Sequence, residues 1–232
     1  MSYIKNAAAF GKLVGICAGY EGKYNPARQN LSINAIRKMA TDAEAANFSV
    51  IVARQNWIAA TGNRKMAFLH LRQVIKRLRG EVGILATDSG TKNLLKVALS
   101  KASALGKAVN SDPPPTSETT KSPRTTGQDY ATRLAALEVV VNALSNAIDY
   151  QPSSAELSVT ALKAKIAELK AATEAVNTGY AELIEARNFR RQFFYKPMTG
   201  LVAVFTAVKN AIKAIFGNPS DELKAVQSIR IE

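Results

Sequence analysis

The chain has 232 residues, of which 47% are apolar and 21% are charged, and it carries a formal net charge of +13 at pH 7. This length accommodates one large or two small domains, and the apolar fraction allows a substantial core. A single cysteine excludes an internal disulfide framework. No apolar run reaches about 18 residues and no standard secretory signal opens the chain, so the localisation is unknown, with the cytoplasm as the default expectation.

Alanine is abundant and β-branched residues rarely alternate with polar ones, which predicts an all-α protein. The first predicted helix spans 3–19. On it Ala7, Gly11, Gly15 and Gly19 form a ridge of small residues four positions apart. We expect this ridge to pack closely on a long helix. The alternative is an element that inserts into a membrane or into another subunit.

A turn at 20–26 leads into a long predicted helix at 28–68. A second helix follows at 71–86 and a short one at 92–105. Because no proline separates the first two, 28–86 could form one continuous or one kinked helix, and the sequence leaves both open.

The region around 64–79 is basic and contains no acidic residue. At 100° per residue, Lys65, Arg72, Lys76 and Arg79 project within a narrow sector, opposite an apolar stripe. Such a face is either solvated or binds phosphate, an anionic membrane surface or an acidic partner. The candidate partner-binding residues are Arg64, Lys65, Arg72, Lys76, Arg77 and Arg79.

The composition suggests a division of the chain into 1–107, a linker at 108–127 rich in Pro, Ser and Thr, and 128–232. Charge is uneven along the sequence. Residues 1–107 carry 17 Lys and Arg against 5 Asp and Glu, whereas 108–232 carry 14 against 13. We interpret this as different surfaces in the two halves, with basic positions of one subunit able to contact acidic positions of another.

The second half is predicted to form helices at 129–149, 154–194, 201–216 and 221–229. Ser153 and Glu156 have the spacing of a capping box, and Ser220 is a candidate N-cap. The helix at 201–216 is apolar enough to lie at a membrane interface, with Lys209 and Lys213 on one side. Lys163 and Lys165 are expected to be exposed.

Two stretches of the chain match each other at an offset of 126 residues. Over the 45 positions 24–68, 12 residues recur without gaps, among them Tyr24 as Tyr150, Arg64 as Arg190 and Phe68 as Phe194. This predicts a tandem duplication of a helical unit. The two long helices could pair antiparallel in a four-helix-like bundle, or each unit could fold on itself.

The residues 188–202, with Tyr195, Pro197, Thr199 and Gly200 in their turn, together with 157–162 and 215–217, resemble a group of bacterial all-helical proteins built from this kind of unit. The resemblance is strongest over 150–232, and the first copy lacks the Pro-x-Thr-Gly turn. It implies an α-helical architecture and brings no established activity and no catalytic residue.

The sequence contains no recognisable motif for catalysis or for metal or phosphate binding, so it predicts no enzyme, no cofactor and no metal. Cys17 is expected to be a small buried residue, and the lone His70 a structural one. We expect a structural or interaction protein that self-associates or docks onto a larger assembly. The alternatives are a nucleic-acid-associated protein using the basic helix and a membrane-active helical protein.

Overall fold

The computed structural model describes residues 3–20, 22–103 and 126–231. This part of the chain folds into seven α-helices and two short 3-10 turns, which confirms the all-α prediction. The helices are α1 (Tyr3–Ala18), α2 (Ile33–Ile84), α3 (Ser89–Ser103), α4 (Thr126–Asn146), α5 (Val159–Tyr195), α6 (Leu201–Phe216) and α7 (Asp221–Gln227).

The helices form two compact units, and neither unit is a continuous half of the sequence. Unit 1 consists of residues 1–57 and 178–232, and unit 2 of residues 58–177. Each unit therefore contains part of both predicted repeats, because α2 and α5 each contribute a segment to both. The division into 1–107 and 128–232 does not describe the compact units. The predicted linker, 108–127, lies outside the described residues except for Thr126 and Gly127, which begin α4.

Unit 1 is built on a core from α1, the first part of α2, the last part of α5, α6 and α7. Its largest fully buried side chains include Phe10, Leu13, Ile36 and Phe194. A smaller cluster joins α2 to α5 farther along, where a side chain at Gly179 would meet the Cα atom of Trp57 at 3.2 Å. The two helices can approach this closely because glycine has no Cβ.

Unit 2 has its own apolar core, formed by 67–82 of α2 with Leu85 just after it, 95–102 of α3, 136–144 of α4 and 157–169 around the start of α5. Arg133 is buried in this core. Its guanidinium donates to the carbonyl oxygens of Ala102 at 3.0 Å and Phe68 at 3.2 Å. The carbonyl of Ala102 lies in the last turn of α3, where no backbone N–H is available within the helix, so Arg133 caps that end.

The structure tests three sequence predictions about where the helices begin and end. Residues 33–84 form one uninterrupted helix of 52 residues, α2, so the helices predicted at 28–68 and 71–86 are parts of a single helix. The capping-box prediction is wrong. Ser153 donates from its backbone N–H at 3.1 Å, and from its hydroxyl, to the carboxylate of Glu81, and Glu156 pairs with Arg77. Both residues therefore bind distant partners on α2, the acceptor Glu81 and the donor Arg77, instead of each other. Ser220 caps α7, accepting from the N–H of Leu223 at 3.2 Å.

The same local structure precedes both long helices. The hydroxyl of Tyr24 donates to the carbonyl oxygen of Leu31 at 2.8 Å, and that of Tyr150 donates to Leu157 at 2.6 Å. A 3-10 turn ends at each of these leucines, and the helix begins two residues later, at Ile33 in α2 and at Val159 in α5. All of these positions differ by 126.

An arginine stacks on a tyrosine in each unit. In unit 1 the guanidinium of Arg190 lies 3.9 Å from the ring centre of Tyr3, and in unit 2 that of Arg64 lies 4.3 Å from Tyr130. A buried phenylalanine contacts each tyrosine, Phe194 at 5.2 Å and Phe68 at 4.6 Å between ring centres. The buried residues of α1 recur in α4 at an offset of 127: Phe10, Leu13, Val14 and Cys17 correspond to Leu137, Val140, Val141 and Leu144.

Only Ala7 of the small-residue ridge of α1 is buried in the core, so the expected close packing of the whole ridge on a long helix is wrong. Gly11 and Gly15 are exposed, and no described atom lies within 4 Å of the position that a side chain would take at either. The large side chains on the other face, such as Phe10 and Leu13, bury α1 instead. The face of α1 that packs on the core is therefore the one whose large apolar side chains gain most free energy from burial, and not the one whose glycines would allow two backbones to approach closely.

Candidate interaction site

The structure separates the six basic candidates into two groups. Arg64 is only 6% exposed and stacks on Tyr130. Arg77 binds the carboxylate of Glu156 and donates to the hydroxyl of Ser154 at 2.8 Å, and Arg79 donates to Ser103 at 2.8 Å and Ser100 at 3.4 Å. These three arginines hold elements of unit 2 together.

The other three candidates, Lys65, Arg72 and Lys76, are exposed on α2 and have no hydrogen-bond or ion-pair acceptor among the described residues. On an ideal helix they lie within a sector of about 60° that also contains Ile58 and Leu69. Ile58 is 51% exposed and Leu69 is 49% exposed. We call these five residues the cationic face.

The apolar members of this face were not identified from the sequence. Ile58 and Leu69 lie in the same sector of the helix, about 60° wide, as the three cations. A plot of every side chain of 58–76 around the helix axis, rather than of the charged ones alone, therefore identifies them. The face is therefore amphipathic rather than purely basic.

Charge is distributed differently over the compact units than over the two halves of the sequence. Unit 1 contains 15 Lys and Arg and 8 Asp and Glu, a net charge of +7, and unit 2 contains 16 and 10, a net charge of +6. The excess of +12 in residues 1–107 is shared between the units because α2 belongs to both. A charge-complementary contact must therefore come from local surfaces rather than from whole units.

Of the two residues considered for chemistry, Cys17 is accounted for by its surroundings. Cys17 is buried, as predicted, and burial raises the pKa of its thiol to about 11, so the nucleophilic thiolate is disfavoured at neutral pH. His70 is exposed on α2. Across the described ranges, no three His, Cys, Asp or Glu side chains are grouped so that they could hold a metal ion.

The helix considered for a membrane interface buries its apolar side. Leu201, Val204, Val208 and Ile212 of α6 all face the core of unit 1. Lys209 donates to the carbonyl oxygen of Ile229 at 2.5 Å, and partial burial lowers the pKa of its amine. None of the helices in the described part of the chain is long and apolar enough to cross a bilayer.

Comparisons with protein-family models, with curated proteins and with solved structures give no match for this chain. The resemblance to bacterial all-helical proteins stays a prediction. The functional argument therefore depends on the surfaces described above, and chiefly on the cationic face of α2.

Proposed function

We propose that this is a non-enzymatic structural or interaction protein that self-associates or docks onto a larger assembly through the cationic face of α2. The observation that carries the proposal is the composition of that face. Three cations without acceptors alternate with two half-exposed aliphatic side chains along one side of a helix. A helix that presents an apolar row flanked by charges suits a groove on another protein.

The aliphatic side chains favour a protein over a nucleic acid as the binding partner. Phosphate backbones are bound by Lys, Arg, small polar side chains and backbone N–H groups. Single-stranded nucleic acids add aromatic side chains on which bases stack, and the cationic face contains none. Ile58 and Leu69 would gain little from a phosphate backbone, whereas burial against apolar protein surface would stabilise the contact.

The proposal includes a tandem duplication whose two copies have exchanged halves within one chain. It is supported by the matching tyrosine hydrogen bonds before α2 and α5 and by the matching stacks of Arg190 on Tyr3 and Arg64 on Tyr130. Each unit combines the start of one long helix with the end of the other. Such an exchange is the arrangement of a domain-swapped dimer, so the ancestral half-length chain would have been self-associating.

Size-exclusion chromatography with light scattering tests self-association on the full chain. We expect a mass that rises with protein concentration and falls with added salt, because salt screens contacts between charged surfaces. Parallel runs contain a short DNA duplex or vesicles of phosphatidylserine and phosphatidylcholine. The variant Arg72→Glu with Lys76→Glu should remain monomeric while its circular dichroism stays helical, since both side chains are exposed.

The control variant reverses two other exposed lysines, Lys12→Glu with Lys163→Glu, and should associate like the unmodified protein. Lys163 and Lys165 were the pair expected to be exposed, but Lys165 binds the carboxylate of Glu168 at 2.8 Å and 3.0 Å and is unsuitable. A protein that stays monomeric at every concentration and salt contradicts the proposal. Binding to DNA or vesicles that depends on Arg72 and Lys76, without self-association, would assign the face to a polyanion instead.

A further inference from the structure

Unit 1 contains an open groove between the segment 42–49 of α2 and the segment 182–193 of α5, with a volume of about 620 Å³. Alanines on both helices leave this space, because their side chains are too short to fill it. Asp42, Glu182 and Glu185 supply carboxylates, and Phe189 and Phe193 supply an aromatic wall. The groove is therefore acidic and apolar at once.

Two of the three carboxylates are available for binding. Glu182 and Glu185 are exposed and have no ion-pair donor among the described residues, whereas Asp42 accepts a hydrogen bond from Lys38 at 2.6 Å. Three arginines follow on α5, but none of them lines the groove, and Arg190 is engaged with the ring of Tyr3. The local charge of the groove is thus negative in a protein of net charge +13.

The aromatic wall is also unusually accessible. Phe189 is 58% exposed, and its ring stacks on that of Phe193 with 6.2 Å between centres and 29° between planes. Phe193 is partly buried against the core of unit 1, so Phe189 is the more accessible of the two rings. Two adjacent aromatic rings beside carboxylates can contact aliphatic side chains and cations together, which is the combination that the cationic face offers.

We infer that this groove, which we call the acidic groove, binds the cationic face of a second copy of the chain. The inference rests on the proposed self-association and names its two surfaces. Glu182 and Glu185 are three residues apart and Arg72 and Lys76 are four apart, so each pair spans about 5–6 Å on its helix. Ile58 and Leu69 of the cationic face have Phe189 and Phe193 as apolar counterparts.

A contact between two different surfaces has a consequence for the assembly. Each copy that binds through its cationic face keeps its own acidic groove available, and the reverse is equally true. Such a heterologous contact continues from copy to copy and produces a ring if the rotation closes or a filament if it does not. A contact of the cationic face with itself would instead stop at a dimer and would oppose like charges.

The test combines two blocked variants of the full chain. Glu182→Lys with Glu185→Lys removes the acidic groove, and Arg72→Glu with Lys76→Glu removes the cationic face. Each alone should weaken self-association by about 100-fold or more, because like charges then meet across the contact. Mixed together, they should associate again and alternate in the assembly, because the intact pair of surfaces and the reversed pair of surfaces both oppose unlike charges. A chain carrying all four reversals should regain self-association.

The matched control reverses Glu44 and Glu174 to lysine. Both are exposed, neither lines the groove, and Glu44 lies on the opposite side of α2 from Asp42. If the groove variant associates as well as the unmodified protein, or the two blocked variants fail to combine, the acidic groove is not the binding surface, while self-association itself stands. If the unmodified protein is monomeric throughout, both the proposed function and this inference are overturned.

Discussion

The end of α5 and the corresponding stretch of α2 begin alike and then diverge. Phe194 and Phe68 are both fully buried against a tyrosine, and Arg190 and Arg64 both stack four residues earlier. After Tyr195 the chain turns and α6 starts at Leu201, whereas α2 runs on without interruption to Ile84. Two nearly identical packing environments therefore precede a break in one unit and a continuous helix in the other.

The difference shows that the residues after Tyr195, and not the packing before it, end α5 at this point. Pro197 removes a backbone donor and stands where α2 has the buried Leu71. Gly200 stands where α2 has Val74. The turn folds back so tightly that a side chain at Gly200 would lie 2.6 Å from the backbone N and 2.7 Å from the carbonyl oxygen of Lys196. Only glycine fits there, and α6 begins directly after it.

The substitution Gly200→Ala should have the largest effect on stability, lowering the free energy of unfolding by about 3 kcal/mol. The added methyl group collides with backbone atoms, which cannot rotate away as a side chain would. Urea denaturation measures the loss. Hydrogen exchange should show faster exchange in unit 1 and unchanged protection in 67–85 of unit 2. A variant as stable as the unmodified protein would mean that the turn is looser than the structure describes.

The tyrosine hydrogen bonds before α2 and α5 provide a second comparison, with a smaller expected effect. Tyr24→Phe and Tyr150→Phe each leave a leucine carbonyl without its donor, which should cost about 1–2 kcal/mol. Tyr24 is buried and Tyr150 is half-buried, so the first substitution should cost more. Equal losses, measured by urea denaturation, would show that burial does not distinguish the two turns.

The same tyrosines predict how stability depends on alkaline pH. Burial, with a smaller contribution from Glu81, raises the pKa of Tyr150 from 10.0 to about 12, and burial also raises the pKa of Tyr24. The folded state therefore keeps a proton that the unfolded state loses. The stabilisation is complete below pH 10 and is lost as the pH rises towards 12. Tyr150→Phe should flatten this decline, and an unchanged slope would contradict the assignment.

Substitutions on the exposed faces of α1 and α4 should change the free energy of unfolding least. Gly15→Ala should raise the free energy of unfolding by about 0.5–1 kcal/mol, because alanine favours the helix and no described atom obstructs it. Asn142 is exposed at the corresponding position of α4, and Asn142→Ala should raise it by about 0.5 kcal/mol. If Gly15→Ala instead leaves stability intact but impairs self-association, the small-residue ridge of α1 is a contact between subunits.

Features that depend on neighbouring residues were predictable from the sequence. The bounds of α6 and the N-cap at Ser220 follow from Gly200, Gly217 and a short polar run, and the structure has them as predicted. Features that depend on distant residues were not. Nothing near Ser153 indicates that Glu81 would replace Glu156 as its acceptor, and nothing near Arg64 indicates that Tyr130 would cover it.

The acidic groove shows the same limit. Glu182 and Glu185 are followed on α5 by three arginines, a pattern typical of charge pairing along one helix. That they line a groove depends on Asp42 and on the alanines of α2, which are about 140 positions away in the sequence. The composition of each compact unit from both halves of the sequence was equally hidden, because the match at 126 residues is the same whichever segments fold together.

The discontinuity of unit 1 imposes an order on folding during synthesis. Residues 58–177 leave the ribosome as one continuous stretch, so unit 2 can complete its core first. Phe10, Leu13 and Ile36 emerge early, but Phe194 and Leu201, which share their core, follow more than 150 residues later. At typical translation rates this delay is about 10 s or longer. During that interval the nascent amino-terminal helices expose an apolar surface that a chaperone could recognise, or that a neighbouring nascent chain could occupy.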